Sequence, residues 1–166
     1  MKVLKQSLLV GLAIAAAGSP ALACVMAPPA TPEVQRQRTL DFQTSLWDRS
    51  EGVFVALLKH PGQIRLEGAG GAPGREASLK PILQLKGPPT TTSMTIRHTS
   101  FTSCGPAPAL DALDPTAGDM FVVYSSSASP TGASIIGTIS PEKLVEPRTR
   151  AAWSQAYGRK ANPAPR

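Results

Sequence analysis

Cysteine, histidine and aromatic residues are all scarce in this chain. Only two of its 166 residues are cysteine, two are histidine, and 5% are aromatic. Two cysteines exclude a disulfide-dense scaffold and the cysteine-rich zinc modules, whose sites take four ligands. Two histidines, His60 and His98, come with no local signature of a nucleophile and an orienting carboxylate. No catalytic residue and no enzyme activity are therefore expected. No metal-ligand spacing is present either, so neither a metal nor another cofactor is expected. So few aromatics argue against the stacking platforms that bind single-stranded nucleic acid, and no nucleic-acid partner is expected. Past residue 23 no run is apolar enough to span a membrane, and no internal repeat occurs.

What is present begins with an export signal. Lys2 and Lys5 form a basic start, Leu8 to Ala17 an apolar run, Gly18 and Pro20 a break, and Ala21-Leu22-Ala23 a small-x-small cleavage site. Residues 1–23 are read as a signal peptide, which places the protein in the periplasm or outside the cell. Of the formal charge of +6, Lys2 and Lys5 leave with the signal and +4 remains, much of it in the last twenty residues. In an oxidising compartment the pair Cys24 and Cys104 reads as one disulfide bond. The alternative is a lipoprotein anchored in the envelope through Cys24. That reading leaves Cys104 a lone thiol and sets Ala21 and Leu22 in the reverse of the usual lipobox order.

Along the remaining chain, "CVMAPPATPE" is proline-rich and extended. Thr31-Pro32 supplies an N-cap and a first-turn proline for a helix ending near Trp47 to Asp48. "GVFVALLK" reads as a buried strand, with "GQIRLEG" its hairpin partner after His60-Pro61. The Gly68 to Gly74 run lacks the Lys-Ser/Thr of a phosphate cradle and reads as a plain loop. "ASLKPILQLKG", "SMTIRHT", "GDMFVVYS" and "ASIIGTI" read as further strands, with Met94, Ile96 and His98 on one face. Ser140-Pro141 opens a short helical turn, and Pro147 a second helix stopped by Gly158. Residues 24–158 thus form one domain and 159–166 a disordered tail. Phe54, Phe121 and Tyr124 are candidate core residues, and Trp47 and Trp153 anchor the two helices. His60 and His98 read as surface or rim histidines. Asp111, Asp114 and Asp119 read as turn formers beside Pro115 and Gly118. Short strands with mostly local connections suggest a mainly β fold, a small closed or nearly closed barrel.

The terminal cysteine, "GVFVALL", "LQLKG", the "SCG" at Ser103 to Gly105 and "GDMFVVY" occur in an order that resembles the netrin-like modules. That group includes the tissue inhibitors of metalloproteinases and many bacterial exported proteins. The resemblance implies a five-stranded OB-type barrel with short flanking helices, clamped by a Cys24–Cys104 disulfide. It also implies a binding module of the cell envelope whose partner is an unidentified protein, a zinc protease among the candidates. In an inhibitor of that kind the Cys24 amine and carbonyl would chelate the protease's zinc while Val25 entered its substrate pocket. Met26 stands where the inhibitors carry a second cysteine.

Overall fold

The computed structural model describes residues 30–67 and 70–161, with only the backbone of residues 158–161. The expected signal peptide, the terminal Cys24 and Val25, and the tail from 162 onward lie outside the described residues. Helix α1 spans Pro32–Arg49, and the Thr31 hydroxyl caps it by accepting the Val34 N–H at 3.4 Å. Leu46 and Gln43 are buried on its inner side, while Val34 and Phe42 stay exposed. Helix α2 spans Pro147–Ala161 and runs through Gly158. A single glycine costs a helix about 1 kcal/mol, too little by itself to stop it.

Seven strands lie between the helices: β1 Gly52–Arg65, β2 Pro73–Lys86, β3 Met94–Arg97, β4 Ser100–Thr102, β5 Gly105–Ala107, β6 Met120–Ser125 and β7 Ile135–Ile139. Five of them form an antiparallel sheet in the order β3-β2-β1-β6-β7, and β4 and β5 form a separate hairpin. The segment expected to turn at His60-Pro61 is instead one continuous strand. His60 and Pro61 bulge out opposite the single residue Ala77, between the pairs Lys59↔Ser78 and Gly62↔Glu76. His60 takes a left-handed φ of 47°, and Pro61 has no N–H to leave unpaired. Two further register shifts place Leu85 and Ile82 as extra residues on β2. Each bulge bends its strand and adds twist, so β1 and β2 curl together.

The expected closed OB-type barrel is not formed. Closure requires the two edge strands to pair, but β3 and β7 share no ladder. The 3-10 turn Gly132–Ser134, just before β7, lies against β3 instead, with Gly132 directly on the Thr95 carbonyl. A turn has no strand edge to offer β3, so the sheet stays open. The fold is mixed α/β rather than mainly β.

The two faces of the sheet are covered differently. On one, Phe54, Leu79, Ile96, Phe121 and Val123 pack under Leu110, Ala112 and Leu113, which come from the chain between β5 and β6. On the other, Val53, Val122, Tyr124 and Ile139 pack against Leu46, with Trp47 and Trp153 partly buried at the margin. Phe54, Phe121 and Tyr124 are core residues as expected, and both tryptophans hold their helices to the sheet. Complete burial of Leu46 contributes about 2 kcal/mol. Leu46 fits because Gly137 of β7 has no side chain there: a Cβ would come within 2.7 Å of its Cδ1.

Buried polar groups join the helical layer to the sheet. Gln43 donates through Nε2 to the Lys143 carbonyl at 2.8 Å, and its Oε1 accepts the N–H groups of Val145 at 2.8 Å and Glu146 at 3.1 Å. Glu146 in turn accepts the Thr149 N–H at 2.6 Å, the Thr149 hydroxyl at 2.9 Å and Arg148 Nε at 2.6 Å. Thr149 shares a hydrogen bond with the Tyr124 hydroxyl at 3.1 Å, and Arg148 reaches Asp48 of α1 at 2.6 Å.

Candidate functional site

Beyond its pairing with β6, β1 continues past the bulge and pairs with β2 alone, Gly62 to Arg65 against Glu76 to Pro73. This β1–β2 arm, which β3 still flanks at Glu76, forms one wall of a pocket. Gln63, Pro73, Gly74 and Arg75 contribute from the arm, and His98 from the residue after β3. The opposite wall is the chain from Cys104 to Pro115, including Pro106, Ala109, Leu110 and Leu113. The pocket is open at one side and encloses about 560 Å³.

Both walls are held by hydrogen bonds. His98 and Arg75 extend the β2–β3 ladder: the His98 N–H donates to the Arg75 carbonyl at 2.9 Å, and the Arg75 N–H donates to His98 Nδ1 at 3.0 Å. The facing wall includes the 3-10 turn Asp111–Leu113. Its Ala112 N–H donates to the Thr138 hydroxyl at 2.9 Å, and Asp111 accepts the Ser140 N–H at 3.1 Å. Lys143 pairs with the same Asp111 oxygen at 3.3 Å. Asp114 accepts the Thr116 N–H and hydroxyl, each at 2.8 Å, and these bonds hold its carboxyl below the ordinary carboxylate range.

Burial and the nearby Arg75 charge lower the His98 pKa below the ordinary 6.5. Because Nδ1 accepts a backbone N–H, the neutral ring carries its proton on Nε2. An NMR titration of the His98 ring should therefore give a midpoint below 6.5. A base whose folded pKa is depressed contributes stability that is present above the unfolded value and lost as pH falls through the folded one. Thermal unfolding should weaken more between pH values of about 7 and 5 in the wild type than in a His98→Gln variant. An unchanged pH dependence in His98→Gln would refute this.

The residues singled out from sequence have different fates. His98 is buried in the pocket wall and is not a surface or rim histidine, while His60 is exposed at the bulge. Asp111 and Asp114 do build turns, and Asp119 offers its carbonyl to the Leu58 N–H at 2.7 Å. Arg75, Gln63 and Ala109 carried no local sequence signal and are brought together only by the fold. Among the described residues no group of three or more His, Cys, Asp or Glu is placed to hold a metal ion. No helix among them is long and apolar enough to cross a membrane.

No protein-family model, no curated protein and no solved structure matches this chain. The open sheet overturns the resemblance to netrin-like modules and tissue inhibitors of metalloproteinases, together with the OB-fold it implied. The barrel clamp and the inhibitor reading that depended on that architecture fall with it. No disulfide joins two of the described residues. Cys24, the expected partner of Cys104, lies outside the described residues. The lipoprotein alternative turns on Cys24 and so lies outside the described residues too.

Proposed function

We propose that this chain is an exported, non-enzymatic binding protein for a small ligand, held in the pocket between the β1–β2 arm and residues 104–115. The observation that carries this reading is the pocket itself. Its volume of about 560 Å³ lies within the few hundred to about 1,000 Å³ typical of ligand sites. Its walls are largely apolar, with a few polar groups at fixed positions. Export is supported by the signal-like pattern of residues 1–23. A binding role is favoured over a catalytic one because His98 Nδ1 already accepts the Arg75 N–H. A general base needs a free lone pair within reach of its proton, and this ring would lose a structural hydrogen bond on accepting one.

Ala109 lines the pocket and is exposed, so Ala109→Trp fills the space with little cost to the fold, within about 0.5 kcal/mol. A ligand-detected NMR screen of small aliphatic and aromatic compounds should find binders to the wild type. Ala109→Trp should weaken them at least about tenfold, or about 1.4 kcal/mol, at unchanged melting temperature. Binders indifferent to Ala109→Trp, or no binders at all, would sink this function.

A further inference from the structure

We infer that the pocket selects a small organic monocarboxylate, its anionic head on Arg75 and the Nε2–H of His98 and its apolar body along Pro106, Leu110 and Leu113. This rests on the ligand-binding function proposed above and names the class of ligand.

The two carboxylates of the pocket, Asp111 and Asp114, are already engaged. Asp111 is hydrogen-bonded to Ser140 and paired with Lys143. Asp114 accepts two hydrogen bonds from the neutral Thr116, and its charge is felt by Arg75 across the pocket without an ion pair between them. The ion pairs of the described residues are Lys143–Asp111, Arg148–Asp48 and Arg148–Glu146, and none includes Arg75. Its guanidinium makes no hydrogen bond among the described residues, although the residue is half-buried in the pocket wall. A guanidinium presents five N–H donors in a planar fork that matches a carboxylate in two parallel bonds. The neutral ring of His98, fixed from its Nδ1 side by the Arg75 N–H, adds one further donor and no charge. One positive charge with an extra neutral donor suits a monoanion. The carboxylates of Asp111 and Asp114 in the same pocket repel a phosphate dianion about twice as strongly as a monocarboxylate. The apolar stretch from Pro106 to Leu113 requires that the rest of the ligand be hydrocarbon.

Octanoate and octan-1-ol have the same chain length and differ in their head group, so together they separate charge recognition from apolar filling. Calorimetric titration of the full secreted chain should show octanoate binding at least about tenfold tighter than octan-1-ol. Arg75→Gln should abolish that preference, and Arg75→Lys should restore part of it. Arg75→Lys also serves if Arg75→Gln fails to fold, a preference equal to wild type then counting against two-bond recognition. Equal binding of the two compounds to the wild type, competed away by Ala109→Trp, would overturn the carboxylate assignment and leave the ligand pocket standing. No binding of either at millimolar concentration would overturn both.

Discussion

Gly132→Ala should be among the most damaging single-methyl changes available in this protein, with an expected loss of at least about 3 kcal/mol. A Cβ at Gly132 would lie on top of the Thr95 carbonyl oxygen and within 2.9 Å of its carbon. Both obstacles are backbone, so no side-chain rotation relieves the overlap. Either the turn Gly132–Ser134 must lift from β3 or β3 must leave β2, and β3 pairs with β2 through only four residue pairs. The loss is a large part of the roughly 5–15 kcal/mol by which a domain of this size is folded. Urea unfolding of Gly132→Ala and of Ala133→Gly tests it, since Ala133 is an exposed neighbour in the same turn. Equal stability of the two variants would show that the turn does not bear on β3 as described.

Glu146→Gln should cost about 2–3 kcal/mol at neutral pH. The Glu146 side chain is 2% exposed. Its oxygens accept three hydrogen bonds, two of them from Thr149, which also bonds Tyr124. Replacing one acceptor oxygen by an amide NH₂ sets donor against donor and leaves buried groups unpaired. Burial pushes the Glu146 carboxyl up, but the hydrogen bonds from Arg148 and Thr149 and the Arg148 charge outweigh it and hold the pKa below the ordinary 4.5. A depressed carboxylate pKa contributes stability that is present above the unfolded value and lost as pH falls through the folded one. Unfolding free energies measured from about pH 7 down to 3 should therefore decline more steeply in the wild type than in Glu146→Gln. Parallel pH profiles, or an effect below about 0.5 kcal/mol, would mean that the carboxylate does not hold α2 to the sheet.

Much of the local structure was legible in the sequence. Thr31-Pro32 and Pro147 mark the two helix starts, and Met94, Ile96 and His98 alternate inward as period-two spacing predicts. "GDMFVVYS" encloses the interior strand β6, buried from Phe121 to Ser125. The misreadings concern how these pieces meet. His60-Pro61 carries the same residue chemistry in a bulge as in a turn, and only pairing with Ser78 and Glu76 shows which it is. Counting strands cannot say whether the first and last pair, and here closure is pre-empted by contact between Gly132 and Thr95. The tie between Gln43 and residues 143–146 spans 100 positions or more, beyond any periodicity. The pocket was illegible for the same reason, since Arg75, His98 and Ala109 come from three segments with no shared motif.

The strand order β3-β2-β1-β6-β7 also bears on how the chain assembles. β1, β2 and β3 form one meander of local pairings, and β6 with β7 forms a hairpin. As strands these two units pair only along β1 and β6, where Leu57 pairs with Met120 across more than sixty intervening residues. Joining them along that seam carries the larger loop-closure entropy of the sheet. The pocket straddles it: the arm and His98 belong to the meander, while the facing wall is tied through Asp111 and Ala112 to the chain at Thr138 and Ser140. Anything bound there grips both halves at once and draws the population toward the joined state. Occupancy of the pocket would then lower the fraction of chains in which that seam is open.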